Sequence, residues 1–406
     1  MKKYKVGSLF AGVGGVCLGF KNAFFEDKGF DLVWANEMDE YACETYRTNF
    51  MHKLIQGDIV KVLDPKVFDK QIKEIREKIF ENTLVQEREI KKLQDLKVAY
   101  EKKHEEILKE KIDVLLGGFP CQAFSIAGER KGFEDDRGNL FLSIVELINQ
   151  LDKIHGKPRI LFLENVKNLK SHDKGRTYEV IKSKLEETGY TIKEHVLNTM
   201  DYSNLPQNRE RIYIIGFLNK EDAEKFDLFE NIDKLKKIKS LEEREDDVRN
   251  IIDYDSKFNE LKYYYYTKDK YPGYFLSEEE YNSMAKSDRK AERINLDEQI
   301  NEMYQFYQVR RGMYVRKNMS GVCPTLTANM GTGGHNVPLI KVSDGIRKLT
   351  PEETFKLQGF PIGEGYILPT EYKGKPYAKS HLYKQAGNAV SVPIIKMLAE
   401  EILKVL

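Results

Sequence analysis

One cysteine of this chain stands where a thiol could act as a nucleophile. Cys121 lies in Gly117-Gly118-Phe119-Pro120-Cys121-Gln122-Ala123-Phe124-Ser125, directly after the apolar run at 112–116. Such a run reads as a buried strand of a parallel sheet. A strand that breaks into glycines delivers the next residues to the carboxyl edge, where open α/β sheets bind ligands. Pro120 fixes its own φ and restricts Phe119, so the thiol sits on a stiff loop. A lone cysteine is more often a small buried hydrophobe, and spacing alone leaves both readings open. Two other groups of suitable type sit at strand ends. Glu164 follows the apolar run 157–163, and Arg209 and Arg211 introduce the run 211–218. A thiolate can add covalently to an electron-poor ring. A carboxyl can hydrogen-bond and protonate a ring nitrogen, and a guanidinium can stabilise charge developing on a carbonyl oxygen. The blander readings are a helix N-terminal acid for Glu164 and a surface charge pair flanking Glu210 for the arginines. Their joint occurrence at strand ends favours the chemistry.

A second set of chemical residues opens the chain. Residues 5–10 form a short apolar strand that runs into Ala11-Gly12-Val13-Gly14-Gly15. Helical periodicity takes over there, with Val16, Phe20, Ala23 and Phe24 along one face. The strand 31–36 ends in Glu37, a suitable position for a carboxylate accepting from two ribose hydroxyls. A helix over 39–50 follows, and Gly57-Asp58-Ile59 closes a third strand with another acid at its tip. The loop is not Gly-x-Gly-x-x-Gly, and it lacks the Lys-Ser/Thr pair of a triphosphate-binding loop. An adenosine-containing ligand without a pyrophosphate, S-adenosylmethionine, fits this pattern better than a dinucleotide.

The elements that must position these residues alternate strand and helix through residue 218. That rhythm predicts a doubly wound, mostly parallel α/β sheet. Residues 65–111 interrupt it with a charged segment whose Ile72, Ile75, Ile79, Leu93, Leu96, Tyr100 and Ile107 predict two amphipathic helices turning near Asn82-Thr83. Glu129 to Asn139 is polar, as suits a mobile loop. After Leu218 the chain is rich in charge and tyrosine, which predicts a second, smaller domain over 219–345. Its last part interleaves Tyr304, Phe306, Tyr307, Arg310, Arg311, Tyr314, Arg316 and Lys317, suiting base stacking with phosphate contact, or equally a half-buried strand with a wet basic face. A hinge region is expected over 346–384. Residues 385–406 return to the first domain, with Gly387-Asn388-Ala389-Val390 starting a terminal helix.

Composition bounds the rest. An apolar fraction of 41% with 32% charge is that of a soluble globular protein. A net charge of +1 excludes a wholly basic nucleic-acid binder but hides local patches. The four cysteines form no Cys-x-x-Cys pair and the seven histidines are scattered, so neither a disulfide framework nor a metal site is expected. No apolar run approaches about eighteen residues, the length needed to span a membrane. The expectation is a cytoplasmic protein.

The segments Phe10-Ala11-Gly12-Val13-Gly14-Gly15, Pro120-Cys121, Glu164-Asn165-Val166 and Gln207-Asn208-Arg209-Glu210-Arg211 occur in that order. They are followed by Arg347-Lys348-Leu349-Thr350-Pro351-Glu352-Glu353, Gln358-Gly359-Phe360-Pro361 and Gly387-Asn388. The set resembles the bacterial DNA cytosine-5 methyltransferases of restriction–modification systems. The resemblance implies a Rossmann-like methyltransferase fold and methyl transfer from S-adenosylmethionine to carbon 5 of a flipped cytosine in a short double-stranded DNA site. It implies Cys121 as nucleophile, Glu164 at nitrogens 3 and 4 and Arg211 near oxygen 2, with Arg209 also in the catalytic set. Phe10, Ala11, Gly12, Gly14, Gly15, Glu37, Met38, Asp58, Ile59, Pro120, Leu140, Asn388 and Ala389 would line the cofactor site. Gln122, Ser125, Arg130, Arg310, Arg311, Thr325 and Thr327 would meet DNA, with 219–345 carrying target recognition in a monomer. Met38 departs from the family members that have a tryptophan after the acid, and 65–111 is longer than compact members need. Rivals are an RNA cytosine-5 methyltransferase on the same scaffold, lacking here its Cys-Phe-Thr signature, a catalytically silent DNA-binding relative, and, last, a dinucleotide-dependent oxidoreductase.

Overall fold

The computed structural model describes residues 2–77, 83–120, 139–289, 292–310, 312–332 and 336–406. The chain forms two compact units, Met1–Val196 with Arg211–Asn231 and Lys396–Leu406, and Leu197–Glu210 with Ile232–Ile395. Compared with the division read from sequence, 219–231 falls in the first unit, and 197–210 and 346–395 fall in the second.

The first unit is an α/β sheet. Its strands are β1 (Lys2–Leu9), β2 (Lys28–Glu37), β3 (Lys53–Gln56), β4 (Val114–Gly117), β5 (Ile160–Val166), β6 (Thr191–Asn198) and β7 (Glu210–Phe217). They lie in the order β2-β1-β4-β5-β7-β6, with β3 also paired to β2. Pairs β1–β2, β1–β4, β4–β5 and β2–β3 are parallel, and β7 runs antiparallel to β5. β4 and β5 read Val-Leu-Leu-Gly and Ile-Leu-Phe-Leu-Glu-Asn-Val and are buried almost throughout, as strands covered on both faces must be. The helices are α1 (Gly15–Lys21), α2 (Glu40–Asn49), α3 (Ile59–Leu63), α4 (Val67–Glu77), α5 (Thr83–Leu108), α6 (Asn139–Ile154) and α7 (Arg176–Glu187). On α6, Ile144, Leu147, Ile148 and Leu151 recur at helical spacing and join Leu115, Leu161 and Leu163 in one core. α2 starts where Asp39 accepts the N–H groups of Tyr41 and Ala42 at 3.0 and 3.1 Å.

Two local readings need correction. α1 stops at Lys21, and Phe24 is exposed in a two-residue strand, Phe24–Phe25, that turns back onto β2 through Glu26 at φ 52°. Gly387 and Asn388 end a helix rather than start one, because Ala389 is extended. The terminal helix begins later, at Val392.

The second unit holds a small sheet of β8 (Tyr265–Tyr266), β9 (Tyr307–Arg310), β10 (Tyr314–Lys317), β11 (Leu339–Val342) and β12 (Gly345–Lys348). Its order is β10-β9-β11-β12-β8, and every pair is antiparallel. α8 (Pro351–Lys356) and α9 (Lys379–Asn388) follow. α10 (Val392–Val405) closes the chain. Its Leu398, Ala399, Ile402 and Leu403 are buried in the first unit, where the Tyr4 hydroxyl donates to Leu406 O at 2.5 Å and Lys28 Nζ to Leu403 O at 3.4 Å.

Arg347 is wholly buried at the end of β12. It forms a two-pronged pair with Glu353, at 2.8 Å from Nη1 and 2.7 Å from Nη2. Glu353 also accepts the N–H of Thr350 at 2.8 Å and of Asp253 at 3.0 Å, while Thr350 Oγ1 caps α8. One carboxylate thereby holds three segments and neutralises a buried cation. Removing it strands the guanidinium, so Glu353→Ala should cost about 3–5 kcal/mol of stability in urea unfolding.

Beneath the glycine loop, burial drives the His52 imidazole down to about 4, with Lys21 adding repulsion, and its Nε2 lies 2.6 Å from the Tyr46 hydroxyl. A histidine held neutral in the fold stabilises fully above its unfolded value near 6.5. That contribution fades as pH falls from there toward about 4. His52→Gln should flatten the decline of the first unit's melting temperature across this window, measured by calorimetry.

Candidate active site

Three strand ends of the first unit are stitched into one cradle. The loop after β1 turns through Phe10 at φ 54°, Gly12 at 55° and Gly14 at 85°. A side chain at Gly14 would also strike the Phe50 ring, 2.2 Å from where its Cβ would stand. Phe10 pays for a left-handed backbone without being glycine, as residues at functional loops do. A Cβ at Gly12 would meet nothing within 4 Å, so the loop faces open space there. Glu37, at the end of β2, accepts the Gly12 N–H on Oε2 at 2.8 Å. Its Oε1 accepts the N–H groups of Met38 and Asp39, each at 2.8 Å. The glutamate read from sequence as a ribose ligand splints the glycine loop. Asn36 Nδ2 donates to Ile55 O at 2.9 Å and Gly57 O at 3.0 Å, binding the end of β3 to β2. Asp58 then caps α3 through Val60 N at 3.1 Å, and Ile59 is buried beneath it. Met38 is 63% exposed beside Glu37, an apolar side chain left in the open at the mouth.

The insertion reaches this cradle, which its sequence did not disclose. The Asp58 N–H donates to the Tyr100 hydroxyl of α5 at 3.3 Å, and a Cβ at Gly57 would stand 3.2 Å from the same ring. Phe68 of α4 packs on Tyr100 with ring centroids 5.3 Å apart. Lys97 pairs with Asp69 at 2.7 Å and ties α5 to α4. Helical spacing marked Tyr100 as apolar-face; what that face rests on is a tertiary fact.

The second cluster lies at the end of β4 and β5. Cys121, Gln122, Ser125 and Arg130 lie outside the described residues, as does Arg311. The approach to them is described: Phe119 is buried against Phe141 at 5.6 Å, and its carbonyl accepts Asn165 Nδ2 at 2.9 Å. Pro120 is exposed, while Leu140 is partly buried against the core. Glu164 is opposite Tyr213 and Val166 opposite Arg211 in the β5–β7 ladder. Glu164 and Arg211 are therefore diagonal neighbours on one face. Arg211 Nε stands 3.1 Å from Glu164 Oε1, with only 12% and 11% of the two side chains exposed. Glu164 Oε2 points toward the chain before the thiol, 3.8 Å from where a Cβ on Gly118 would stand. The other three cysteines, Cys17, Cys43 and Cys323, are buried, and burial pushes all three thiols up, Cys43 to about 12. None of these three is poised to form a thiolate.

The remaining candidates belong to the second unit. Arg209 is buried, donating from Nη1 to Leu326 O at 2.8 Å and from Nη2 to Gly387 O at 3.2 Å and to Ala389 O. These three carbonyls hold the Arg209 guanidinium in place. Thr325 Oγ1 donates to Asn208 O at 2.6 Å, and Thr327 is exposed. Gly387 lets α9 lie on this segment, since a Cβ there would stand 2.2 Å from the Thr327 carbonyl carbon. Asn388 is exposed and Ala389 buried at the end of α9. On β9, Tyr307 and Val309 are buried while Arg310 faces out, sharing the Gln308 Oε1 with Arg316 at 3.4 and 3.3 Å. Residues Tyr307–Arg310 thus form a half-buried strand that turns its arginine outward. Among the described residues no group of three or more His, Cys, Asp or Glu is placed to hold a metal, and no helix is long and apolar enough to cross a membrane.

Known proteins are similar to this chain over nearly its whole length. The type II methyltransferase M.Bsp6I of Bacillus sp. (strain RFL6) is 42% identical over 403 residues, 98% of each chain. M.HaeII of Haemophilus aegyptius is 33% identical over 401 residues, 98% of this chain and 92% of its own. The crystal structure of the S. pombe Dnmt2 methyltransferase has the same fold at 17% identity, with a TM-score of 0.56 over 99% of both chains. The sequence model of one family, described as C-5 cytosine-specific DNA methylase, matches residues 4–80 and 66–404. With matches of this length on both counts, the chain belongs to the C-5 cytosine-specific DNA methylases of restriction–modification type.

Proposed function

We propose that this chain transfers the methyl group of S-adenosylmethionine to carbon 5 of a cytosine within a specific short double-stranded DNA sequence. The observation that carries the reading is the buried Glu164–Arg211 pair beside Gly118, just before Cys121. The type II names of the relatives support a part in shielding DNA from a paired endonuclease.

S-adenosylmethionine supplies an electrophilic sulfonium methyl group. The cradle fits its adenosine part. An ionised carboxylate offers about four acceptor sites; Glu37 uses three on backbone N–H groups and keeps one for a ribose hydroxyl. Exposed Met38 offers an apolar surface to a base, and Asp58 ends the adjoining strand. Gly12 leaves room for close approach.

Carbon 5 of cytosine is too weak a nucleophile to attack a sulfonium methyl directly. The Cys121 thiolate adds to carbon 6, a C–S bond forms, and the ring electron pair moves to carbon 5 as an enamine. Glu164 hydrogen-bonds the exocyclic amine and supplies the proton to nitrogen 3 that neutralises the adduct. Arg211, held beside Glu164 by their ion pair, faces oxygen 2 and stabilises charge there. Carbon 5 takes the methyl group. Loss of the carbon 5 proton to a base and return of the nitrogen 3 proton to Glu164 re-form the 5,6 double bond and expel the thiolate, regenerating Cys121 and Glu164. The cytosine must leave the stack to reach the thiol, at a cost of a few kcal/mol that pocket contacts offset.

Mapping methylated cytosines in DNA from cells expressing the chain tests the whole reading; unmodified DNA from cells holding folded protein would refute it. Cys121→Ser should abolish methyl transfer while retaining S-adenosylhomocysteine binding, and full turnover would remove the nucleophile assignment. Glu164→Gln should slow the chemical step by about 10²–10⁴, read by single-turnover kinetics, with duplex affinity little changed. Tyr100→Phe removes the acceptor for the Asp58 N–H, so S-adenosylhomocysteine should bind about two- to tenfold more weakly in calorimetry with kcat preserved.

A further inference from the structure

Lys270, Lys348 and Lys379 converge on one aromatic ring in the second unit. Their Nζ atoms stand 5.1, 5.0 and 4.3 Å from the centroid of Tyr263. A ring has two faces, so at least two of the three cations share one. Neighbouring rings cradle them further: Lys379 lies 4.4 Å from the Tyr264 centroid, Lys270 5.3 Å from Tyr271, and Lys348 5.6 Å from Tyr383. Lys348 is buried, whereas the Tyr263 ring is 55% exposed and marks where the cluster opens.

Aromatic faces soften the repulsion between ammonium groups without cancelling it. Among the described residues none of the three lysines is ion-paired, and the only hydrogen bond from these ammonium groups runs from Lys270 to Tyr263 O at 2.7 Å. The nearby carboxylates do not serve them. Glu353 is held by Arg347, and among the described residues no ion pair joins Glu352 to any of the three. Burial, Lys270 and Lys379 together push the Lys348 ammonium below the usual lysine range. A three-cation cluster with no internal counter-charge is arranged for an external anion with several oxygens.

Its place identifies the anion. Lys379 opens α9, and the glycine-rich loop after Thr327 docks on the same turn. A Cβ at Gly331 would stand 2.5 Å from the Ser380 carbonyl oxygen and 3.2 Å from Lys384 Cβ. The cluster thus adjoins the loop that follows the threonines expected to meet a nucleotide backbone. We propose that Lys270, Lys348 and Lys379 form a phosphate site that holds a phosphodiester of the DNA backbone over the exposed ring of Tyr263. Resting on the DNA-substrate reading, this adds a positioning contact that is blind to base sequence.

The test is equilibrium binding of the full chain to a fluorescein-labelled duplex of random sequence, by anisotropy across a series of KCl concentrations. Lys270→Gln and Lys379→Gln should each weaken binding and flatten the plot of log K against log salt by about 1. The double variant should flatten it by about 2, and Lys270→Arg with Lys379→Arg should restore the slope. Lys225→Gln, which removes one charge outside the cluster, controls for net charge. Melting temperatures near that of the unsubstituted chain identify variants that remain folded. Unchanged slopes, or an equal loss in Lys225→Gln, would overturn the phosphate site while leaving the DNA reading intact. A chain that binds no duplex in its unsubstituted form would overturn both.

Discussion

A carboxylate set almost out of water at the end of a central strand needs a counter-charge, and the rest of the first unit is arranged around meeting that need for Glu164. The solution is a register. Because β7 runs antiparallel to β5 with Tyr213 opposite Glu164, Arg211 is carried to the diagonal position on the same face. A slip of one residue would send the guanidinium to the opposite face of the sheet and leave the carboxylate uncompensated. The antiparallel run of β7 against β5 is thus the topological condition for pairing these two side chains. The same edge brings Gly117 and Gly118 out of β4, so the chain entering the Cys121 loop passes the carboxylate.

The cradle at the other strand ends follows a related logic. Glycines give the β1 loop its left-handed turns and deprive it of side-chain contacts that would stiffen it. Glu37 replaces that stiffness with three hydrogen bonds, and Asn36 does the same for the β3 end. The acid at the tip of β2 therefore orders the loop before any ligand is present, which lowers the entropy that binding would otherwise lose.

Much of this was legible in the residues. Strand-ending acids at Glu37, Asp58 and Glu164 were visible because a buried parallel strand is a short apolar run and its end is marked by the first polar group. The two helices of the insertion were visible for the same kind of reason, since periodicity reports which face is apolar. Periodicity does not report the partner of that face, so the reach of Tyr100 to Asp58 was hidden. Arg209 and Arg211 look alike in sequence, yet one lies on the sheet face with Glu164 and the other clamps the carbonyls of Leu326, Gly387 and Ala389. Only the path of the backbone through Glu210 separates them. Gly387 and Asn388 misled because glycine before an apolar run can end one helix as readily as precede another. The short strands of the second unit, two to four residues each, offer too few positions for alternation to stand out.

The Tyr4 and Lys28 bonds to residues 403–406 have a bearing on how the polypeptide acquires its shape. β1 leaves the ribosome nearly four hundred residues before the helix that covers its neighbourhood. Until then the apolar surface that Leu398, Ile402 and Leu403 will cover remains open to water. Closure of the first unit therefore waits on residues made far later than its first strand, rather than proceeding stepwise.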